Sequence, residues 1–173
     1  MARVPLVEVA AMTPDQRAQY DRFPSNLSRA LVLTPARLAG MIPSLANALR
    51  ASGLDAKIRE GVILRVAALS ACEFERMQHL GEAAKAGWTA AEIAAIEAGH
   101  PPAEIAAILA FVDECVALVR VGDAAFAAVR AILSPREIAT LIVLIGHYMM
   151  VARFLRTLDI ELDPAPSTWE TEH

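Results

Sequence analysis

Signals for the start of a helix recur along this chain and constrain its fold more than any other feature. Segments 13–16, 89–92 and 134–137 each place a serine or threonine three residues before a glutamate or glutamine. In such a capping box, the hydroxyl accepts a hydrogen bond from the N–H of the third helical residue. The side chain of that third residue accepts a hydrogen bond from the backbone N–H of the serine or threonine. Two of the segments also carry proline at the first helical position, where a missing N–H costs little. The sequence therefore predicts helices at all three places.

Between these starts, stretches rich in alanine, leucine and isoleucine show helical periodicity and no convincing strand alternation. The predicted fold is all-α, in a single domain over residues 1–173. Helices are predicted over 13–20, 35–51, 55–69, 71–86, 89–97, 102–120, 123–132 and 135–158. A weak internal echo, in which Arg59-Glu60 and Arg136-Glu137 both open apolar helices, would correspond to two related helical hairpins. The tail 163–173 is expected to be loose unless a neighbouring segment holds it.

Composition narrows the class of protein. Hydrophobic residues make up 55% of the chain, above the usual range of about 45–50%. The longest apolar run, 138–152, is short for a bilayer span, so we expect the surplus to be buried between subunits of a homo-oligomer and not in a membrane. A net charge of −4 without a basic run argues against nucleic acid as a partner. No secretory signal is recognisable and two cysteines make no disulfide scaffold, so a cytoplasmic location is expected.

One short segment concentrates reactive side chains. Ser70 and Glu73 have capping-box spacing, which predicts that a helix begins at Ser70 and places Cys72 in its first turn. Free N–H groups there favour a thiolate. At about 100° per residue, Cys72, Glu75 and His79 would share one helix face, and Glu75 could orient the His79 ring from four residues away. A thiol, a carboxyl group and an imidazole in one row are suited to redox chemistry or proton transfer.

The same region resembles the carboxymuconolactone decarboxylase family, which includes the alkylhydroperoxidase D-like proteins. The core of the resemblance covers residues 55–97, and looser matches flank it on both sides. It is carried by Asp55-x3-Arg59-Glu60-Gly61-Val62-Ile63-Leu64-Arg65-Val66-Ala67, by Cys72-Glu73-Phe74-Glu75-x3-His79, and by Ala84-x2-Gly87-Trp88-Thr89-x2-Glu92-Ile93.

The resemblance implies an all-helical, alkylhydroperoxidase D-like bundle that assembles as dimers, trimers or hexamers. In the alkylhydroperoxidase D-like branch, a Cys-x-x-Cys pair works with a glutamate and a histidine that relay protons. By position, Glu60 matches the relay glutamate, Cys72 the first cysteine and His79 the histidine. Glu75 stands where the second cysteine would be, so this chain is a single-cysteine variant and cannot close that disulfide.

The resemblance favours one function, and two alternatives stay open. The favoured function is an antioxidant, peroxiredoxin-like oxidoreductase. The Cys72 thiolate would attack a hydroperoxide and become a sulfenic acid, His79 and Glu60 would move protons, and an external thiol reductant would complete the cycle. The second is a non-redox acid–base enzyme, of decarboxylase or isomerase type, acting on a small carboxylated or lactone substrate. The third is a catalytically silent oligomeric binding protein.

Each candidate residue also has a structural explanation. Cys72 could be a small buried apolar residue, His79 a satisfied core histidine, Glu60 a helix-start charge and Glu75 a solvated partner of Arg76. Packing roles are predicted for Cys115, His147 and Tyr148, and a role for Cys115 as the resolving thiol of Cys72 stays open. No cofactor is expected and no metal site is predicted, because His and Cys residues lack ligand spacing such as His-x3-His.

Overall fold

The structure is a computed structural model that describes residues 2–167, and within that range it contains helices and no β-strand. The prediction of an all-α fold is confirmed. The elements are a 3₁₀ turn at Val9–Ala11 followed by α1 (Pro14–Tyr20), α2 (Asn26–Leu31), α3 (Ala36–Arg50), α4 (Ala56–Leu69), α5 (Glu73–Lys85), α6 (Ala90–Ala98), α7 (Ala103–Leu118), α8 (Asp123–Arg130) and α9 (Pro135–Thr157).

The three capping boxes form as the sequence predicts. Thr13, Thr89 and Ser134 each accept a hydrogen bond from the third helical N–H, and the side chain of that third residue bonds back. They begin α1, α6 and α9. Pro14 and Pro135 occupy the first helical positions of α1 and α9. These interactions are local, so they fix the helix starts independently of tertiary packing.

Helix α4 is the centre of the bundle and packs against α5, α6, α7 and α9. Its side chains from Glu60 to Leu64 are buried on consecutive positions, so the helix is covered on all sides. A helix surrounded in this way is expected to be mostly apolar where it is buried, as residues 61–64 are. Its single buried acidic residue, Glu60, is therefore an exception that needs a partner.

Helix α9 packs against α3, α4, α7 and α8. By length and composition alone it could cross a membrane, and half of its most apolar window is buried inside the protein. It also continues without a break for 23 residues, whereas α4, which carries the first copy of the internal echo, ends after 14 residues at Leu69. The two segments of the internal echo therefore differ in structure after Leu69, where α4 ends and the chain turns into α5.

Helix α2 is absent from the sequence prediction. Ser25 caps it by accepting a hydrogen bond from the Ser28 N–H, but no glutamate or glutamine completes a capping box there. A helix of this length is marginal in isolation and depends on packing. Its buried residues Leu27, Ala30 and Leu31 supply that packing, in a second core cluster with α3 and the end of α9.

Neighbouring segments hold residues 163–167 in place, which is the exception that the expectation of a loose tail allowed. Asp163 accepts a hydrogen bond of 2.9 Å from the backbone N–H of Asn26. Ser167 donates its backbone N–H to Oε1 of Gln78 and its hydroxyl to the carbonyl of Pro24, both at 2.8 Å. α2 and α5 are thus the neighbours that hold the tail. The remaining residues of that prediction, 168–173, lie outside the described range.

Candidate functional site

The turn between α4 and α5 differs from the sequence prediction. Ser70 does not begin α5. It ends α4 instead, with its N–H bonded to the carbonyl of Val66. Ala71 adopts a left-handed conformation (φ 48°), and the N–H of Cys72 returns to the carbonyl of Ala67 at 2.8 Å. This is the hydrogen-bond pattern that closes a helix C-terminus. Because α4 uses Ser70 for its own end, the predicted capping box with Glu73 does not form.

Cys72 is the N-cap of α5 and is not a first-turn residue. Its backbone is non-helical (φ −100°, ψ 86°), so the 100° spacing that aligned it with Glu75 and His79 does not extend to it. The side chain is buried among Phe74, Leu155 and Ile160 in the second core cluster. Cys72 borders a different space from the one that Glu75 and His79 line, and Phe74 borders both.

The thiolate expected at Cys72 is not supported. Burial, with a smaller contribution from the Glu75 carboxyl, raises the pKa of the Cys72 thiol to about 11. The backbone amides of Glu75 and Phe74 and the charge of Arg156 act in the opposite direction but do not offset burial. Cys115 on α7 is half-buried, and burial raises its pKa as well. Cys72 is therefore a neutral thiol near pH 7.

Glu60 and His79 form a buried pair between α4 and α5. Nδ1 of His79 lies 2.8 Å from Oε2 of Glu60, and their side chains are 3% and 1% exposed, respectively. The other carboxyl oxygen accepts a hydrogen bond of 2.9 Å from Nε of Arg59. Burial alone would raise the pKa of Glu60, but His79 and Arg59 together bring it below its usual value. Glu60 is therefore a carboxylate, and it accepts the proton on Nδ1 of His79.

This contact corrects one expectation from the sequence. Glu60, and not Glu75, orients the His79 ring. With Nδ1–H committed to a carboxylate, a neutral His79 carries its free lone pair on Nε2. A histidine held in this tautomer by a buried carboxylate is equipped to accept a proton.

His79 lines a cavity of about 40 Å³ that is bounded by α2, α3, α5 and α9. Glu75 lies one turn before His79 on the same wall. Most of the lining is apolar, from Leu27, Leu31 and Ile42 among others. One water molecule needs roughly 10–15 Å³ on the same scale, so the cavity has room for about three water molecules.

Glu75 is the most unusual side chain in this wall. It is buried, and neither carboxyl oxygen has a hydrogen-bond partner. Burial raises the pKa of the Glu75 carboxyl well above its usual value. We infer that Glu75 is a protonated carboxylic acid at neutral pH, because an isolated buried carboxylate would be very costly. It can then donate a proton or a hydrogen bond.

Three further polar residues face the same cavity, and sequence reasoning did not select them for chemistry. Gln78 lies on α5, and its Nε2 is buried without a partner. His147 and Tyr148 lie on α9, and the Tyr148 ring stands edge-on to both His147 and His79 with ring centroids 5.1 Å apart. Burial, together with the charge of His79, lowers the pKa of His147 to about 4, so His147 is neutral near pH 7. Their order along the chain gave no sign that α5 and α9 would meet here.

Three of the four predicted site residues are thus brought together and one is not. Glu60, Glu75 and His79 form a connected group, with Glu60 behind His79 and Glu75 beside it. Cys72 lies on the far side of Phe74. Among the residues that the structure describes, no group of three or more His, Cys, Asp or Glu side chains could hold a metal ion.

The fold and the site together define a class of protein: a helical bundle with a buried Glu–His pair beside a cavity. The profile of the carboxymuconolactone decarboxylase family matches residues 36–133, which is more than half of the chain. The chain belongs to this family. No curated protein matches it.

Two solved structures share the fold. One is the core of an alkylhydroperoxidase AhpD, an uncharacterised peroxidase-related protein from Ralstonia eutropha, with a TM-score of 0.79 and 19% identity over 94% of this chain and 93% of that chain. The other is a protein of unknown function from Agrobacterium tumefaciens, suggested to be an AhpD antioxidant defence protein, with a TM-score of 0.66 and 23% identity over 71% of this chain and 88% of that chain. At these identities the likeness concerns the fold alone.

Proposed function

We propose that this protein is an acid–base enzyme that shifts a proton on a small carbonyl-containing substrate, a reaction of isomerase or decarboxylase type. The observation that carries the proposal is the pairing of a carboxylate-oriented histidine with an isolated, buried carboxylic acid on one wall of a cavity. When two neighbouring titratable groups have surroundings that drive their pKa values apart, one can serve as the acid and the other as the base.

In the proposed mechanism, Nε2 of His79 removes a proton from the substrate carbon next to the carbonyl group. Glu60 stabilises the imidazolium that forms, because its carboxylate already accepts the proton on Nδ1. Glu75 donates its proton to the carbonyl oxygen as the negative charge develops there. Both side chains are largely shielded from water, which strengthens these interactions.

Peroxidase chemistry at Cys72 is the alternative, and the local environment gives it less support. The thiol is buried, its pKa is raised to about 11, and it borders a different space from His79. A peroxidatic cysteine acts as the thiolate. Arg156 favours the thiolate, but its effect is smaller than that of burial.

The test measures exchange of substrate protons with solvent. Small carbonyl compounds, such as cyclopentanone and γ-butyrolactone, are incubated with the protein in D₂O, and loss of the proton signal next to the carbonyl is followed by NMR. We expect exchange with the wild type and with Cys72→Ala, and a loss of about a hundredfold in His79→Gln. Glu82→Gln, at a partly exposed residue on the same helix that lies outside the cavity lining, is the matched control.

Hydroperoxide consumption in the presence of dithiothreitol is measured on the same proteins. Consumption that disappears in Cys72→Ala, with no proton exchange, would replace the acid–base proposal with the thiol-dependent one. Inactivity in both assays would favour the catalytically silent binding protein.

A further inference from the structure

The wall of the cavity carries an excess of polar atoms without partners. Both oxygens of Glu75, Nε2 of Gln78 and Nδ1 of His147 are buried and make no hydrogen bond. They account for most of the unpartnered buried side-chain atoms among residues 2–167, and all three residues line this one cavity. Buried polar groups in folded proteins are nearly always satisfied, so a cluster of exceptions indicates a missing partner.

The charge around this cluster limits what that partner can be. No lysine or arginine lines the cavity in the part of the chain that the structure describes. Arg59 is bound to Glu60 behind the wall, and Arg50 acts on Tyr148 from outside the lining. His79 lines the cavity, but any positive charge on its ring would be balanced by the Glu60 carboxylate at 2.8 Å. No uncompensated cation is therefore placed to pair with a negatively charged group in the cavity.

We propose that the substrate is a small uncharged unsaturated carbonyl compound, such as an enone or an unsaturated lactone without a carboxyl group, and not a carboxylate. Its carbonyl oxygen would accept hydrogen bonds from Glu75 and the Gln78 amide, and its hydrocarbon part would lie against Leu27, Leu31 and Ile42. The inference rests on the proposed function and deepens it. A substrate without a carboxylate has no carbon dioxide to lose, so the reaction is an isomerisation.

The step balances without any further reactant. The C–H bond next to the carbonyl breaks and its proton moves to Nε2 of His79, while the electron pair shifts through carbon to oxygen. Glu75 gives its proton to that oxygen, which yields an enol, an imidazolium and a carboxylate. In the return step, His79 delivers a proton to a different carbon of the conjugated system, and Glu75 recovers the proton from oxygen. The double bond has moved and both residues are restored.

The experiment compares pairs of molecules that share a shape and differ in charge. Butanone is paired with propionate, and 3-methylbutan-2-one with isobutyrate. Binding to the full-length protein at pH 7 is measured by saturation-transfer NMR. We expect each uncharged member to bind about a hundredfold more tightly than its anion, because burying an unpaired charge is strongly unfavourable.

Two variants on α5 locate the binding. Glu75→Gln keeps an uncharged group with a donor, so the preference for the uncharged member should remain. Gln78→Leu removes the amide donor and should weaken ketone binding about tenfold. Glu82→Gln on the same helix should leave both affinities unchanged. Equal binding of the two members of a pair, or tighter binding of the anion, would overturn the proposal. No binding of either member would also overturn it, since water alone would then satisfy the cluster.

These outcomes separate the substrate class from the function. If ketones bind in a Gln78-dependent manner but no proton exchanges with D₂O, the substrate class stands and the acid–base function fails. Levulinate, which carries both a ketone and a carboxylate, is added to the D₂O assay; if proton exchange occurs only with levulinate, the function stands and the substrate class fails.

Discussion

Nδ1 of His79 and Oε2 of Glu60 are joined across two helices by a buried contact of 2.8 Å. The contact uses Nδ1 in a hydrogen bond to a carboxylate, so Nε2 is the ring nitrogen that can accept a proton from a substrate. Because Arg59 holds the second oxygen of Glu60, the carboxylate cannot rotate freely away from the ring. The pair therefore fixes the orientation of His79, and its charge favours the protonated ring that proton removal would produce.

Replacing Glu60 by glutamine tests this relationship. The amide oxygen can still accept a hydrogen bond from Nδ1, so the ring should keep its position, but the negative charge is lost. We expect proton exchange to fall by about ten- to a hundredfold while butanone binding is unchanged. Rates from D₂O exchange and affinities from NMR titration check this. A variant that loses binding and exchange equally would indicate that Glu60 is needed only for packing.

The pH dependence of stability should reveal the buried acid at Glu75. Its folded-state pKa is raised, so the folded protein retains a proton that the unfolded chain releases above about pH 4.5. The free energy of unfolding should then decrease as pH rises above that value, by at most about 1.4 kcal/mol per pH unit. Urea unfolding of Glu75→Gln should lack this decrease, whereas Glu82→Gln should keep it. Equal slopes in all three proteins would show that Glu75 is ionised in the folded state.

Glu60 should act with the opposite sign. Its folded-state pKa is lowered, so the stability it contributes is present above about pH 4.5 and is lost as pH falls through the folded-state value. Urea unfolding below pH 4.5 should therefore show a steeper loss of stability in the wild type than in Glu60→Gln. If the two proteins lose stability in parallel, the carboxylate is not stabilised by His79 and Arg59.

Alkylation should distinguish the two cysteines. Cys72 is buried with a pKa of about 11, whereas Cys115 is only half-buried. We expect iodoacetamide to label Cys115 at least about tenfold faster than Cys72 under native conditions, with the difference disappearing in urea. Mass spectrometry of the labelled peptides measures both rates. Faster labelling of Cys72 would restore the thiolate that the sequence predicted.

One exposed apolar surface, on α3, is expected to be covered by self-association. Leu38, Met41 and Leu45 lie on one face of α3 and are 49%, 64% and 36% exposed, respectively. We propose that a second copy of the chain covers this face, in the homo-oligomer that the composition predicts. Sedimentation at micromolar concentration should give a species larger than the monomer, and Met41→Lys should shift it toward the monomer. A well-folded wild-type monomer would contradict the proposal.

Much of the fold could be predicted because its signals are local. A capping box lies within four residues, and Thr13, Thr89 and Ser134 each begin a helix whatever packs around them. Ser70 shows the limit of the same rule. Its spacing to Glu73 suits a capping box, but α4 extends to Leu69 and ends at Ser70. The start of α5 therefore moves to Glu73, and Cys72 no longer shares a helix face with His79.

The site was predicted in part for the same reason. Glu75 and His79 share a helix face, which follows from helical spacing. The contacts of Glu60 with His79, and of the α5 wall with His147 and Tyr148, depend on how separate helices pack. Nothing in the local sequence around His147 indicates that its partner surface is 70 residues away, so it was assigned to the core.

The hydrogen bond from Ser167 to Gln78 spans 89 positions of the chain, and the one from Ser167 to Pro24 spans 143. Contacts of such sequence separation close large loops and tend to form late in folding. The Gln78 side chain would thus be free to turn until this segment docks. A partly folded protein could therefore contain every helix and the Glu60–His79 pair while the Gln78 side chain in the cavity wall is not yet held in place. During refolding, ligand binding should then appear later than the circular-dichroism signal of the helices.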